Sequence, residues 1–194
     1  MRDEQLQERY EAALEAGRNR DYVRAVELLQ GIVVETDRMP EALLYLGRSY
    51  HALEDYPQAV QAFGFYLRQQ PDSSQGHFFI ARTYFALGLL SRAGRHLRES
   101  VRLDAGFAPA LGLLGLTLLK TGRPDAAVLC FEQALKIAPG DQNLFTGYLN
   151  ALLTQGIRLF RRRSYPDALA NLEFILKHRP DSLVAHLYLA SIYR

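Results

Sequence analysis

A pattern of small and bulky apolar residues recurs along this 194-residue chain, with a constant step of 34 in the numbering. Segment 40–73 shows the pattern most fully. It has two apolar stripes with helical spacing, a turn at residues 54–57 and a closing Pro71. The alanine at position 59 has counterparts one period earlier and one and two periods later, namely Ala25, Ala93 and Ala127. The segment predicts a pair of helices, and its recurrence predicts an array of such pairs in place of one central core.

Side chains at fixed positions of the repeat carry a resemblance to a known family. In segment 40–73 these are Leu46, Gly47, Tyr50, Ala59, Phe63 and Pro71. In segment 108–141 they are Leu114, Gly115, Gly122, Ala127, Phe131, Ala134 and Pro139. The period and these small, aromatic and proline positions resemble the tetratricopeptide repeat (TPR) family. The resemblance implies an all-α fold, a right-handed TPR superhelix (α-solenoid) of antiparallel helix pairs, with the first helices lining a concave groove.

The repeat predicts the organisation of the whole chain. We expect a single TPR domain over residues 1–194, with repeats at about 6–39, 40–73, 74–107, 108–141 and 142–182. A final unpartnered helix over residues 183–194 follows.

The fifth repeat is expanded by seven residues, because the step from Ala127 to Ala168 exceeds the period by that amount. Two registers place the expansion. One uses Phe145, Tyr148, Leu149, Leu152 and Gly156 as signature positions and leaves 157–163 as the extension. The other moves the extension to the front and puts Gln155 at a normally apolar position. We prefer the first. Both predict a first helix of about 20 residues that keeps its apolar stripe nearly in phase.

Charge and cysteine usage argue against several function classes. The chain has 23 basic and 21 acidic residues, a net charge of +2, which is too balanced to indicate nucleic-acid binding. Its longest strongly apolar stretch, residues 108–119, is far shorter than a bilayer span, so we expect no direct membrane insertion. The single Cys130 and the charged N-terminal segment favour a cytoplasmic location, although a fragment of a longer protein would also lack a signal.

Catalytic and metal-binding motifs are missing from the sequence. It has no GxSxG, HExxH, phosphate-binding loop or GxGxxG motif. The five histidines are dispersed, and no pair has the sequence spacing of a metal site. We therefore expect no enzymatic activity, no cofactor and no metal.

Residues one period apart on the first helices should form rows along the predicted groove. The central row is Leu14, Arg48, Arg82, Leu116 and Asn150; the row four residues earlier includes Tyr10, Leu44 and Phe78; the row three residues later includes His51, Phe85 and Leu119. The predicted groove is apolar and aromatic, with two arginines near its middle that suit a carboxylate. The alternative is that Arg48 and Arg82 only solvate an exposed helix face. The predicted binding residues are Tyr10, Leu44, Arg48, His51, Phe78, Arg82, Phe85, Leu116, Leu119 and Asn150.

Two further segments stand out. The basic run Arg158, Arg161, Arg162 and Arg163 is a candidate tip for docking an acidic partner, although arginines at a helix end also interact favourably with the helix dipole. The final segment 183–194 is apolar with few charges, whereas a terminal helix normally has a polar outer face. Either the chain is a piece of a longer array, or another molecule covers this segment.

These patterns predict a protein–protein interaction scaffold or adaptor. Its groove would bind a peptide or helical segment of a partner protein that carries apolar and acidic residues. The alternatives are a structural self-assembly module that forms a homo-oligomer through the C-terminal helix, or the TPR part of a larger multidomain protein. We expect no nucleic-acid partner.

Overall fold

The computed structural model describes residues 2–194, with side chains from residue 4 onward. All regular secondary structure in this part of the chain is helical, and short turns join consecutive helices into antiparallel pairs. The all-α fold class is confirmed. The helices are α1 Arg2–Arg18, α2 Tyr22–Glu35, α3 Pro40–Ala52, α4 Tyr56–Gln69, α5 Ser74–Ala86, α6 Leu90–Leu103, α7 Ala108–Lys120, α8 Pro124–Ile137, α9 Gln142–Arg161, α10 Tyr165–His178 and α11 Leu183–Ile192.

Helix starts follow local signals in the sequence. Five helices begin after a residue whose side-chain oxygen accepts a hydrogen bond from the first turn, namely Asp21, Asp55, Ser73, Asp141 and Ser182. Such caps satisfy backbone N–H groups that have no partner inside the helix. Helices α3, α5, α7 and α9 begin at residues 40, 74, 108 and 142, the first residues of the predicted repeats. Of these four, α5 and α9 follow such a cap, whereas α3 and α7 have a proline in the first turn instead.

The turn inside each helix pair contains one residue in the left-handed backbone region. These residues are Arg20 (φ 62°), Glu54 (61°), Gly88 (74°), Gly122 (72°) and Arg163 (63°). Each backbone N–H donates to the carbonyl three residues earlier, as Glu54 does to His51 at 3.1 Å. The first four are spaced by one period each, and the last comes seven residues later than the period requires. The extra residues therefore precede the turn and belong to α9, which has 20 residues.

The packing of α9 against α10 corrects the preferred register. A Cβ atom on Gly47 would lie 2.6 Å from the Phe63 ring, sixteen residues later in the sequence. Gly156, inside α9, faces Leu172 with the same sequence separation. Gly156 therefore occupies the position in its repeat that Gly47 occupies in the second repeat. The preferred register is wrong for the part of α9 that packs on α10.

The alternative register places Gln155 at a position that is normally apolar. The structure accommodates this because both ends of the Gln155 amide are hydrogen-bonded. Its Nε2 donates to Asp125 at 3.1 Å, and its Oε1 accepts from Asn171 at 2.9 Å. A half-buried amide with both partners in place costs little stability.

The helices group into two compact units that divide after Ala105. Unit 1 contains α1–α6, and Leu29, Ile32, Phe63 and Leu97 are almost fully buried in it. Unit 2 contains α7–α11, and its most buried large side chains are Leu111, Phe131, Leu172 and Ile175. That the units form a single domain stays a prediction. None of the helices within residues 2–194 is long and apolar enough to cross a membrane.

Candidate functional site

Unit 1 contains a cavity of about 340 Å³ between α1, α2, α3 and α5, which we call the groove pocket. Its walls include three arginines, Arg18, Arg48 and Arg82, and the aromatic rings of Tyr22, Tyr45 and Phe79. Among the described residues that line it, none carries a carboxylate. The pocket therefore presents positive charge beside apolar and aromatic surface.

A chain of hydrogen bonds orients Arg82. Its Nε–H donates to Nε2 of His51 at 3.2 Å. The other ring nitrogen of His51, Nδ1, lies 3.0 Å from Oγ1 of Thr83, and that hydroxyl donates to the Phe79 carbonyl at 3.0 Å. Because the Thr83 hydrogen is already used, Nδ1 of His51 must be the donor to Oγ1. This assigns a neutral His51 with its hydrogen on Nδ1.

The electrostatics of the pocket keep His51 neutral. Burial, together with the positive charge of Arg82, lowers the pKa of His51 to about 4. Burial and the nearby charge of Arg48 also lower the pKa of Arg82, but a guanidinium remains charged in proteins. At neutral pH the pair is thus a charged donor and an uncharged acceptor.

Aromatic rings hold Arg48. Its guanidinium carbon lies 4.7 Å from the ring centroid of Tyr45 and 5.0 Å from that of Phe79. Tyr45 in turn packs edge-on against Tyr10, with centroids 5.9 Å apart. Burial, with smaller contributions from Tyr45 and Glu41, raises the pKa of Tyr10 to about 12, so its phenol stays protonated. Cation–π contacts of this kind restrain an arginine without neutralising its charge.

In the part of the chain with described side chains, neither Arg48 nor Arg82 forms an ion pair with a carboxylate. The contacts above leave the terminal guanidinium nitrogens of Arg82 without a protein acceptor there. A guanidinium fork of this kind can bind a carboxylate through two parallel hydrogen bonds. The pocket is therefore chemically suited to an acidic group.

Three of the predicted binding residues, Arg48, His51 and Arg82, meet in the groove pocket. Tyr10 supports it from behind Tyr45. Phe78 and Phe85 are half-buried outside its lining, and Phe78 packs against Phe79 with ring centroids 5.3 Å apart.

Leu44 requires a correction. It is only 6% exposed and belongs to a core cluster with Phe63 and Ile80, so it offers almost no surface to a ligand. The spacing of α3 predicts an apolar face but does not separate the groove side from the sides that pack on α2, α4 and α5.

Arg18, Tyr22, Tyr45 and Phe79 also line the groove pocket, although none of them belongs to the rows predicted from the sequence. Tyr45 and Phe79 are one period apart, one position after the row of Leu44 and Phe78. Arg18 similarly lies one position after the row that contains His51. Rows that also took in the next position of each first helix would therefore have included Tyr45, Phe79 and Arg18.

The remaining predicted groove residues belong to unit 2. Leu116 is 40% exposed, Leu119 is half-buried, and the side-chain oxygen of exposed Asn150 accepts a hydrogen bond from Arg179 at 2.9 Å. A binding role for these three residues stays a prediction.

The predicted basic tip is smaller than its sequence indicates. Arg158 forms an ion pair with Asp125 at 2.9 Å, at the start of α8, so its charge is already partly compensated. Arg161, Arg162 and Arg163 are exposed, and Arg163 is the left-handed turn residue. Any acidic partner would therefore meet three arginines and not four.

Two histidines that are far apart in the sequence form a pair. Nδ1 of His77 lies 2.9 Å from Nδ1 of His96, and Nε2 of His77 lies 3.1 Å from the Pro71 carbonyl. The carbonyl requires a hydrogen on Nε2 of His77, so His96 is the donor between the rings. The ring centroids are 5.2 Å apart, so the Nδ1 atoms of the two rings point directly at each other. They do not converge on a third point that an ion could occupy. Among the described residues there is no group of three or more side chains that could hold a metal ion.

The comparisons with known proteins agree with this architecture. Family models described as tetratricopeptide repeat match residues 10–74, 46–108, 153–194 and 108–141. No curated protein sequence matches the chain significantly.

Several solved structures have the same fold. A crystal structure of MamA protein has a TM-score of 0.74 at 18% identity, covering 90% of this chain and 92% of that chain. YrrB, described as a TPR protein with an unusual peptide-binding site, has a TM-score of 0.72 at 19% identity, covering 91% and 88%. TTC0263, a thermophilic TPR protein in Thermus thermophilus, has a TM-score of 0.66 at 23% identity, covering 97% and 98%. Since the family models cover most of the sequence, this chain belongs to the tetratricopeptide repeat family.

Proposed function

We propose that this protein is an interaction scaffold whose groove pocket binds a segment of a partner protein carrying acidic and apolar residues. The observation that supports the proposal most directly is the pair Arg48 and Arg82, which line one cavity and lack a carboxylate partner in the described part of the chain. Both arginines are exposed, so their guanidinium groups are accessible to a carboxylate of a partner, which could accept charge-assisted hydrogen bonds from them.

In this proposal an aspartate or glutamate of the partner lies between Arg48 and Arg82. A neighbouring apolar side chain packs against Tyr45, Phe79 and Leu14, which line the same cavity. Phe78 and Phe85, and in unit 2 Leu116, Leu119 and Asn150, are secondary candidates. The description of YrrB as having a peptide-binding site supports peptide binding as a use of this fold.

A displayed library of short random peptides tests the proposal without requiring the partner's identity. Selected peptides should be enriched in an acidic residue next to an apolar or aromatic one. Their affinity, measured by fluorescence polarisation, should fall at least about tenfold in an Arg48→Ala/Arg82→Ala variant.

The matched control is Arg68→Ala/Arg123→Ala. Both of these arginines are exposed and neither lines the pocket, so this variant loses the same net charge. Equal affinity of the two double variants for the selected peptides would show that the pocket is not the binding site.

A second candidate function is self-assembly through α11. Leu183 is 78% exposed, Leu187 is 68% exposed and Tyr193 is 70% exposed, which is unusual for apolar side chains on one short segment. Light scattering should detect an oligomer that persists at high salt and that Leu183→Ser/Leu187→Ser converts to monomer. A wild-type monomer at high protein concentration would contradict this candidate.

A further inference from the structure

Two helices of unit 1 carry charged stripes of a single sign on their exposed faces. On α6 the stripe is Arg95, Arg98 and Arg102; on α1 it is Glu8, Glu11 and Glu15; all six residues are exposed. Successive residues of an α-helix are about 100° apart around the helix axis, so the three residues of each stripe lie within an arc of about 60°. The core residues Leu97 of α6 and Ala13 of α1 lie on the opposite sides of the two helices.

Most of these charges are uncompensated within the molecule. Among the described side chains, Arg95, Arg98, Glu8 and Glu15 form no ion pair. Arg102 is bonded to Glu99, with a shortest distance of 2.6 Å, and Glu11 accepts one hydrogen bond from Gln7. Like charges three and four residues apart repel and destabilise an isolated helix. Each stripe therefore stabilises the protein only when an opposite charge faces it.

The two stripes have identical spacing. Successive charges are three and then four residues apart on both helices, which corresponds to rises of about 4.5 and about 6 Å. Two such helices laid side by side in the same direction bring Glu8 opposite Arg95, and the two remaining pairs follow in register.

We propose that the arginine stripe of α6 docks the glutamate stripe of α1 from a second copy of this chain. A second copy is the occupant that matches in sign, number and spacing. The contact uses a different surface on each molecule, so it is heterologous, and it extends into a chain of molecules unless it closes into a ring. It involves neither the groove pocket nor α11, and it stands independently of the proposed function.

Salt dependence is the first test, using the whole chain in sedimentation equilibrium. Exposed ion pairs are individually weak and are screened by salt, so we expect association at about 50 mM NaCl to weaken at least about tenfold at about 300 mM. Association through α11 would persist at the higher salt concentration, because apolar contacts do not weaken with salt. A protein that stays monomeric at low salt up to the millimolar range would overturn the proposal.

Charge reversal with rescue is the second test. One variant carries Glu8→Lys, Glu11→Lys and Glu15→Lys; the other carries Arg95→Glu, Arg98→Glu and Arg102→Glu. Each alone should be monomeric at low salt, because its two stripes then have the same sign. A mixture should associate again, with the two variants alternating, because the unchanged arginine stripe of the first fits the unchanged glutamate stripe of the second, and the lysine stripe of the first fits the new glutamate stripe of the second.

Circular dichroism establishes that both reversed variants fold. If the α6 reversal disturbs the fold, Arg95→Gln/Arg98→Gln replaces it and should also abolish association. Association that survives the reversal on α1 but not that on α6 would mean that another acidic surface occupies α6, and would overturn the proposal. Failure of the mixture to form a complex would do the same. None of these changes touches Arg48 or Arg82, so the groove pocket keeps both arginines proposed to bind a carboxylate.

Discussion

Arg82 donates a hydrogen bond from its Nε to Nε2 of His51, and this contact fixes the arginine without using its terminal nitrogens. His51 can accept because its own hydrogen, on Nδ1, is directed to Thr83. A neutral histidine therefore positions a cation in the groove pocket. This division of roles leads to the first two predictions.

Removing His51 should weaken binding without removing a charge. In His51→Ala, Arg82 loses its acceptor and becomes more mobile, so we expect selected peptides to bind about three- to tenfold more weakly. Fluorescence polarisation measures the change. Thr83→Ser keeps the hydroxyl that receives the His51 hydrogen and should bind like wild type. A loss of affinity in Thr83→Ser equal to that of His51→Ala would contradict the orienting role.

Mild acid should destabilise the protein through two histidines. The folded protein lowers the pKa of His51 to about 4, mainly by burial, and that of His96 to about 4, by burial and by the adjacent His77. An unfolded chain has a histidine pKa of about 6.5, so between pH 6.5 and 4 it binds more protons than the folded one. Stability is thus fully present above pH 6.5 and is lost as the pH falls towards 4.

Urea unfolding at pH 7 and pH 5 measures this loss. Carboxylates contribute mainly below about pH 5, so this interval isolates the histidines. The double variant His51→Gln/His96→Gln should show a smaller loss of stability over the same interval. An equal pH dependence in wild type and double variant would refute the assignment.

The same glycine-to-alanine change should have opposite effects at two sites. Gly88 has φ +74°, where alanine is strained, so Gly88→Ala should destabilise by about 1 kcal/mol. Gly64 lies within α4 with open space where a Cβ would stand, so Gly64→Ala should stabilise by about 0.5–1 kcal/mol. Glu54→Gly, at the equivalent turn position with φ 61°, should also stabilise. Thermal and urea unfolding give the signs, and the same sign for Gly64 and Gly88 would contradict the turn assignment.

Close helix packing predicts which first-helix glycines tolerate a methyl group. A Cβ at Gly47 would lie 2.6 Å from the Phe63 ring, and one at Gly115 would lie 2.7 Å from the Phe131 ring. Alanine at either site should cost about 1–3 kcal/mol. At Gly156 the nearest atom, Cβ of Asn171, lies at 3.5 Å, an ordinary contact, so Gly156→Ala should be close to neutral. Unfolding free energies that rank Gly156→Ala as the most damaging would show that the packing of α9 is different.

The fold was predictable because its signals are local and repeated. Ala59 and Phe63 recur at a fixed period, and a capping residue such as Asp55 or Ser73 marks a helix start. The groove pocket was only partly predictable. Arg48 and Arg82 follow from the repeat, but periodicity alone does not show that Leu44 faces the core or that Tyr45 and Phe79 flank Arg48. Those outcomes depend on three-dimensional packing among four helices.

The register of α9 shows a different kind of limit. The sequence makes Gln155 look misplaced, because its hydrogen-bond partners, Asp125 and Asn171, lie on two other helices. A polar residue at an apolar position is tolerated when both partners are present, and no local pattern reveals them.

The seven-residue growth of α9 also restricts how this array can change in length. Seven residues advance a helix by almost two whole turns, so Gly156 still meets Leu172 while the start of α9 keeps its own neighbours. An insertion of about nine residues would rotate the distal half of α9 by roughly 180° and turn its apolar face to solvent. Only certain lengths of insertion or deletion are therefore compatible with the packing of α9. Lengths near seven or eleven residues keep the apolar faces of both halves of α9 on the same side of the helix, and intermediate lengths rotate one half away from its neighbour.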